Sequence, residues 1–183
     1  MKKALLFFAD GAEEVEALTP VDILRRAAVN VTVVGVLGKT QTGSHGISVN
    51  TDISAQELGT DGDFDMIILP GGIKGTQNLD NSEIVDKYIR RAEKENKFIA
   101  AICAAPTILG KRGLLTGKNA TCYPSMQDEI SACCTKVGGR VVRDGNIITG
   151  VGAGASVEFA LALAAALTDE ETSEKIKKGI VAG

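Results

Sequence analysis

The sequence predicts an α/β fold in which helices cover both faces of a mostly parallel β-sheet. Short apolar runs typical of buried strands recur along the chain, and segments with a helical spacing of apolar residues separate them. No internal repeat, low-complexity tract or linker interrupts this alternation, so we expect residues 1–183 to form one domain. This length, with 44% hydrophobic residues, is enough to bury an extensive core.

The first half of the chain is predicted to hold three strands, a helix and a hairpin. In order, these are a strand at 4–9, a helix at 14–28, a strand at 31–36, a hairpin at 39–52 and a strand at 65–69. The helix is indicated by an approximately helical spacing of apolar residues from Val15 to Ala27. Gly43 and Gly46 interrupt the hairpin segment, and the last strand ends at Pro70-Gly71-Gly72, which favours a turn.

The second half begins with a helix and a strand that together lead to Cys103. The expected elements are a helix at 82–96, a strand at 98–102, a helix at 104–111, paired strands at 141–143 and 146–149, and helices at 156–167 and 170–178. The paired strands flank Asp144-Gly145, a strong signal for a two-residue hairpin turn. In such a sheet, ligands bind beyond the carboxyl ends of the strands. The loops at 10–16 and 70–75 and Cys103 itself are therefore the candidate positions.

The composition argues against several classes of partner. The net charge is -3, the 20 Lys and Arg residues are scattered, and only 4% of residues are aromatic, with no Trp. Neither a groove for a phosphate backbone nor a stacking platform for bases is indicated, so no nucleic-acid partner is predicted. The chain starts with a Lys pair and a short apolar run, but acidic residues follow from Asp10 onward. We interpret this segment as a strand and predict no membrane partner.

The cysteines and the one histidine limit the cofactors that can be expected. Four cysteines without regular spacing, in a chain of this length, suit a reducing, cytoplasmic compartment better than a disulfide scaffold. Cys133 and Cys134 are adjacent, and we expect a loop pair and not a strained vicinal disulfide. His45 alone cannot supply a multi-histidine site, so no metal and no other cofactor are predicted.

Cys103 is the leading candidate for a reactive residue. An apolar run from Phe98 stops at this cysteine and resumes as an alanine-rich helical pattern, which indicates a tight strand-to-helix turn. Such a nucleophile elbow raises the side chain above the sheet. It also places the sulfur near the first N–H groups of the next helix, where partial positive charge favours a thiolate. The alternative is a small buried core residue, which is what an isolated apolar cysteine usually is.

A reactive thiol without a cofactor needs a group that handles its proton. Glu16, about one turn into the first predicted helix, is our choice for this role. Glu13 and Glu14 compete for the assignment. For all three, the alternative is a solvated acidic cluster that complements the helix N-terminus.

The thiol also needs donors that stabilise an oxyanion. Gly71 and Gly72 lack side chains and let backbone N–H groups approach a ligand closely. The Ala104 amide, next to the nucleophile, would complete an oxyanion hole. A plain turn at the end of a strand is the alternative for the two glycines.

Five motifs, taken together and in order, resemble those of a known family. They are Gly11-Ala12-Glu13-Glu14-Val15-Glu16, Pro20-Val21-Asp22-Ile23-Leu24-Arg25-Arg26-Ala27, Leu69-Pro70-Gly71-Gly72, Ala100-Ala101-Ile102-Cys103-Ala104-Ala105-Pro106 and Glu158-Phe159-Ala160-Leu161. The chain is similar in these motifs, nearly end to end, to the parkinsonism-associated deglycase branch of the DJ-1/ThiJ/PfpI superfamily. The resemblance implies a flavodoxin-like three-layer α/β sandwich, usually a homodimer, with Cys103 as nucleophile and redox-sensitive thiol. It also implies that Glu16 is the carboxylic acid beside the sulfur and that Gly72 and Ala104 are the backbone donors.

Two segments depart from the pattern of that family. Members with glyoxalase activity often have a histidine near the thiol in a Thr-His-Pro-like segment, whereas this chain has Thr121-Cys122-Tyr123-Pro124. Tyr123 can offer a hydroxyl as an auxiliary group, but it is not a base at neutral pH. An arginine expected in a Ser-Arg-Gly-Pro-Gly-like segment is also missing from Gly150-Val151-Gly152-Ala153-Gly154. These losses predict slow catalysis and leave the thiol and acid pair intact.

The resemblance also points to residues near a dimer interface. His45 falls near a position that the family often gives to an arginine by this interface. It is expected either to approach the pocket of the partner subunit or, as a hairpin residue, to face solvent. Arg25 and Arg26 are expected at or near the same interface, with ordinary surface ion pairs as the alternative.

The residues and the resemblance lead to two hypotheses about function. The first is a cofactor-free enzyme of the glyoxalase III or deglycase type, acting on methylglyoxal, glyoxal or early glycation adducts through Cys103 and Glu16. The second is an oxidative-stress sensor that oxidises Cys103 without significant turnover. Chaperone activity rests on the resemblance alone. Peptidase activity fits poorly, because related proteases often place a histidine directly after the elbow cysteine, where this chain has Ala104.

Overall fold

A seven-stranded sheet lies between two layers of helices in the computed structural model, which describes residues 1–183. The strands are β1 (Lys3–Phe8), β2 (Asn30–Gly35), β3 (Thr40–Thr42), β4 (Ser48–Asn50), β5 (Ile53–Ser54), β6 (Met66–Leu69), β7 (Phe98–Ile102), β8 (Asn119–Ala120), β9 (Lys136–Val137), β10 (Val141–Asp144) and β11 (Ile147–Gly150). The helices are α1 (Glu14–Arg26), α2 (Ala55–Leu58), α3 (Ile73–Asp80), α4 (Glu83–Lys94), α5 (Pro106–Lys111), α6 (Gln127–Ser131), α7 (Ser156–Leu167) and α8 (Glu170–Gly179). None of these helices combines the length and apolar character needed to cross a membrane.

The order of strands in the sheet brings three strand ends together. The order is β10-β11-β7-β6-β1-β2-β5, and every neighbouring pair is parallel except β10 and β11. The predicted mostly parallel sheet is therefore confirmed. Because β1, β6 and β7 are adjacent and parallel, the loops that follow Phe8, Leu69 and Ile102 lie side by side at one edge of the sheet.

Side chains of the central strands alternate between two hydrophobic cores. Leu6 and Phe8 of β1 point to the face covered by α1 and α7, and Leu5 and Phe7 point to the face covered by α4 and α5. Successive residues of a strand point to opposite faces, so a strand buried on both sides has a continuous apolar sequence. This explains why β1, β6 and β7 stand out in the sequence as unbroken apolar runs.

Most of the predicted elements are present, and one turn is displaced. The segment 39–52 forms the hairpin β3–β4, outside the main sheet. The turn predicted at Asp144-Gly145 is wrong by one residue, because Asp144 still pairs with Ile147 in the ladder. The turn is formed by Gly145, with φ of 63°, and Asn146.

Several short elements were not predicted, and α3 is the one that matters for the site. Its buried residues are Gly75, Thr76 and Leu79, so it lacks the apolar periodicity that identifies a helix in a sequence. The others are α2, α6 and the short strands β5, β8 and β9. Their few residues each give too little pattern to separate them from loops.

Candidate active site

Cys103 lies directly after β7, at the turn that leads to α5. Its φ of 65° is in the left-handed region, which residues other than glycine rarely adopt. The Cys103 N–H donates to the Gly150 carbonyl at 2.9 Å, and the Cys103 carbonyl accepts from the Tyr123 N–H at 2.7 Å. The side chain is half-buried and lines a cavity at the carboxyl edge of the sheet. The predicted strand-to-helix turn is thus present, and it holds the sulfur at the cavity.

Glu16 is the acidic residue that the structure brings to Cys103. It lies in the first turn of α1, and its side chain is fully buried. Its Oε2 accepts a hydrogen bond of 2.9 Å from the Gly71 N–H, whereas Oε1 has no donor in hydrogen-bonding geometry. The two functional groups meet beside Gly152, where a Cβ would lie 4.0 Å from both the Cys103 sulfur and Glu16 Oε1.

Two glycines allow this close approach of backbone and side chains. A Cβ at Gly71 would lie 2.5 Å from the Cys103 Cβ and 2.6 Å from Glu16 Oε2, so only glycine fits there. Gly72 has φ of 85°, and a Cβ on it would clash with the Gly11 carbonyl. The N–H groups of Gly72 and Ala104 lower the pKa of Cys103, and their role as oxyanion donors stays a prediction.

Cys103 and Glu16 affect each other's protonation. Burial raises the pKa of Glu16 from 4.5 to about 7, although interactions with Cys103 and the Gly71 N–H oppose the change. Burial and the Glu16 carboxylate raise the pKa of Cys103 to about 12, although the Gly72 and Ala104 N–H groups oppose the change. Two negative charges side by side are disfavoured, so the pair keeps at least one proton at neutral pH. The shared proton belongs to the pair and not to either residue, so the expected thiolate at Cys103 stays a prediction.

The competing acidic residues Glu13 and Glu14 bind the hairpin β3–β4, and Glu13 also lines the cavity. Glu14 is only 4% exposed, and its Oε1 accepts hydrogen bonds from the N–H groups of His45 at 2.9 Å and Ile47 at 3.3 Å. Burial opposes ionisation of Glu14, but its hydrogen bonds outweigh burial and lower its pKa to about 2. Glu13 accepts a hydrogen bond of 3.0 Å from the Ser44 hydroxyl. The solvated cluster considered as an alternative is thus wrong for Glu14, which is buried and fully hydrogen-bonded.

His45 lies at the mouth of the cavity of its own chain. Its Nδ1 is 3.1 Å from Glu14 Oε2 and 3.3 Å from Glu13 Oε1, and the hydrogen bond to Glu14 is the main reason that its pKa is raised. The His45 side chain is 68% exposed, as the alternative of a solvent-facing hairpin residue predicts, and an approach to a partner's pocket stays a prediction. The ligand atoms of these three residues lie within 4.8 Å of one another. Glu13, Glu14 and His45 already bind each other and the hairpin, so these hydrogen bonds and ion pairs attach the hairpin to the start of α1.

The cavity beside Cys103 has a volume of about 700 Å³. Tyr123 lines it with a side chain that is 48% exposed, so its hydroxyl is available to a ligand. Asp10, Ile73 and Lys74 line it from the predicted candidate loops at 10–16 and 70–75. The lining residues that the sequence analysis missed are Thr42, Gly43, Ser44, Ser125 and Met126. Ile73 and Lys74 begin the unpredicted α3, directly after Gly71-Gly72.

The arginines expected near a dimer interface form ion pairs on the surface. Arg25 pairs with Asp52 at 2.9 Å, and Arg26 pairs with Asp22 one helical turn earlier at 2.7 Å. Such pairs are compatible with a surface and with an interface, so the position of both arginines near an interface stays a prediction. A homodimer stays a prediction.

The fold and this arrangement define a class of protein. The chain is a flavodoxin-like α/β protein with a cysteine on a nucleophile elbow and a buried carboxyl beside it, at the carboxyl edge of the sheet. Its family follows from comparison with known sequences. The DJ-1/PfpI family model matches residues 2–166. The chain belongs to the DJ-1/PfpI family.

Individual relatives agree with this assignment. Protein dj-1beta of Drosophila melanogaster is 40% identical over 182 residues, which cover 98% of this chain and 97% of that protein. A crystal structure of Drosophila melanogaster DJ-1beta matches this fold with a TM-score of 0.94 at 38% identity, over 100% of this chain and 98% of that chain. A protein named as a deglycase in Pyrococcus abyssi is 33% identical over 148 residues, which cover 80% of this chain and 88% of that protein.

Proposed function

We propose that this chain is a cysteine-dependent, cofactor-free enzyme that acts on small α-oxoaldehydes such as methylglyoxal and glyoxal, or on early glycation adducts. The observation that carries the proposal is the fully buried Glu16 carboxyl, whose Oε1 meets the Cys103 sulfur beside Gly152 at the wall of a cavity. Membership of the DJ-1/PfpI family and the deglycase relative support it.

The proposed reaction uses both groups in turn. The Cys103 sulfur adds to the aldehyde carbon of methylglyoxal, and the proton of the pair passes to the new oxygen, which gives a hemithioacetal. The N–H groups of Gly72 and Ala104 stabilise negative charge while it develops on that oxygen. Glu16 removes the proton from the former aldehyde carbon and returns it to the neighbouring carbon through an enediol, which leaves a thioester. Water then releases lactate and restores the thiol.

Turnover is expected to be slow. A histidine is the usual general base near neutral pH, and the cavity has none beside the sulfur, because His45 is held at the mouth by Glu13 and Glu14. Tyr123 offers only a hydroxyl. Glu16, with its pKa raised to about 7, is the one group at the sulfur that can both accept and donate a proton at neutral pH.

Formation of lactate from methylglyoxal in chelator-treated buffer tests the proposal. Wild type is expected to produce lactate, Cys103→Ser to produce none, and Glu16→Gln to be slower by about 100-fold or more, since positioned acid–base groups contribute that much. Cys133→Ser is the matched control, because Cys133 is also half-buried but lies outside the cavity. Wild type that forms no lactate under these conditions would eliminate the proposal.

A redox role is the second candidate, and the unpaired Oε1 of Glu16 favours it. If this oxygen carries the shared proton, it can donate to an oxygen on an oxidised Cys103 and favour arrest at the sulfinate. Intact-mass measurement after mild peroxide should then show two added oxygens, confined to Cys103 and lost in Cys103→Ser. Oxidation spread over the other cysteines would remove this candidate.

A further inference from the structure

A second group of thiols lies away from the Cys103 cavity. Cys133 and Cys134 follow α6, in the turn that leads to β9, and both side chains are half-buried. Neither residue lines the cavity, and the chemistry proposed for Cys103 uses neither. Cys122, the remaining cysteine, is fully buried in the core under α5.

Hydrogen bonds hold the adjacent cysteines in one turn. The Ile130 carbonyl accepts from the N–H of Cys133 at 3.2 Å and from the N–H of Cys134 at 3.1 Å. It also accepts from the Cys133 thiol at 3.2 Å. The Cys133 carbonyl accepts from the Gly117 N–H at 2.9 Å, which ties the turn to the segment before β8. The backbone of the pair is therefore fixed, with neighbouring Cα atoms about 3.8 Å apart.

The two thiols lie close enough to affect each other. Burial, and after it the neighbouring Cys133, raises the pKa of Cys134 to about 11. A thiol of raised pKa reacts poorly with peroxide, because the thiolate is the reacting form. The raised pKa does not hinder a ligand that removes the thiol protons when it binds. Sulfur is a soft donor and binds soft metals and metalloids preferentially. A ligand that recognises this pair of thiols is therefore expected to present such an element.

We propose that Cys133 and Cys134 form a dithiol site for monosubstituted trivalent arsenicals. Such a compound, R–As=O, reacts with both thiols: two S–H bonds and the As=O bond break, and two As–S bonds form. The two protons leave with the oxygen as one water molecule. Arsenic stays trivalent and both sulfurs keep their oxidation level, so no oxidant or reductant is needed.

Proximity makes this pair different from the other two cysteines. Once the first As–S bond forms at Cys133, the second forms within the same turn, at a high effective concentration of thiol. Such intramolecular closure strengthens binding by about 100-fold or more over a single contact. Cys103 stands alone in its cavity and offers arsenic only one sulfur. Cys122 lies near Cys134 but is fully buried, so a bridge between those two would require the core to open.

The test uses phenylarsine oxide with the reduced, full-length protein and intact-mass measurement under native conditions. Wild type should gain one phenylarsenic group with loss of two hydrogens. Cys103→Ser and Cys122→Ser should gain the same group, and 1,2-ethanedithiol should remove it where a monothiol does not. Cys133→Ser and Cys134→Ser should each bind at least about 100-fold more weakly. Circular dichroism checks that each variant is folded.

A second measurement needs no variant. Wild type treated with phenylarsine oxide and then with iodoacetamide should be protected at Cys133 and Cys134 together, while labelling of Cys103 is unchanged. Absence of an adduct on the folded wild type would overturn the proposal. So would an adduct that survives in Cys133→Ser, or one that is lost in a folded Cys122→Ser, because arsenic would then bridge other sulfurs.

Discussion

Replacing Glu16 with glutamine should stabilise the protein, and the gain should depend on pH. Glutamine keeps an oxygen that can accept from the Gly71 N–H, but it cannot ionise. In wild type, burial raises the pKa of Glu16 from 4.5 in the unfolded chain to about 7 in the fold. The stabilising contribution of the neutral carboxyl is therefore complete below about pH 4.5 and is lost as the pH rises through about 7. At 1.36 kcal/mol per pKa unit, the full loss is about 3 kcal/mol.

Urea denaturation of both proteins at about pH 4 and about pH 8 measures this difference in the free energy of unfolding. Glu16→Gln should differ little from wild type at the lower pH and should be more stable by up to about 3 kcal/mol at the higher pH. Glu93→Gln, an exposed position of α4, is the control and should show no such trend. A difference between Glu16→Gln and wild type that stays constant across this range would refute a buried, titrating Glu16.

Three further substitutions test the geometry of the site and of the core. Cys103→Gly should be more stable than Cys103→Ala by about 1 kcal/mol in thermal unfolding, because φ of 65° is unfavourable for any residue with a Cβ. Gly71→Ala would place a Cβ 2.5 Å from that of Cys103, so we expect turnover of methylglyoxal to fall by about 100-fold while circular dichroism stays unchanged. Phe159→Ala removes a fully buried ring from the core under α7 and should lower the free energy of unfolding, measured in urea, by about 3–5 kcal/mol.

The parts of the fold that could be predicted are those with strong periodicity. β1, β6 and β7 are buried on both faces, so their sequences are unbroken apolar runs. α4 buries Val85, Tyr88, Ile89 and Ala92 at helical spacing, and its bounds were predicted within two residues at each end. α3 could not be predicted in this way, because small residues let it approach the chain at Ala12 and leave little apolar pattern.

The residues of the candidate site could likewise be predicted only where they adjoin an element with a strong sequence pattern. Cys103 and Gly71-Gly72 could be located because each follows directly after a strand, and the strand order then places them together. The position of His45 could not be predicted, because it depends on how the hairpin β3–β4 folds back over α1. The contribution of Met126 could not be predicted either, since it reaches the cavity from a turn too short to be recognised in the sequence.

The protonation states of two neighbouring acids show most clearly what the tertiary structure determines beyond the local sequence. Glu14 and Glu16 are two residues apart, both side chains are buried, and burial alone would raise the pKa of each. Glu14 receives N–H groups from His45 and Ile47, and its pKa falls to about 2. Glu16 receives only the Gly71 N–H, its other oxygen has no hydrogen-bond donor, and its pKa rises to about 7. The donors for Glu14 lie more than thirty residues away, on a hairpin whose path the local sequence of α1 does not encode. Because these donors bind Glu14 and not Glu16, Glu16 is the buried carboxyl of α1 whose pKa lies near neutral pH.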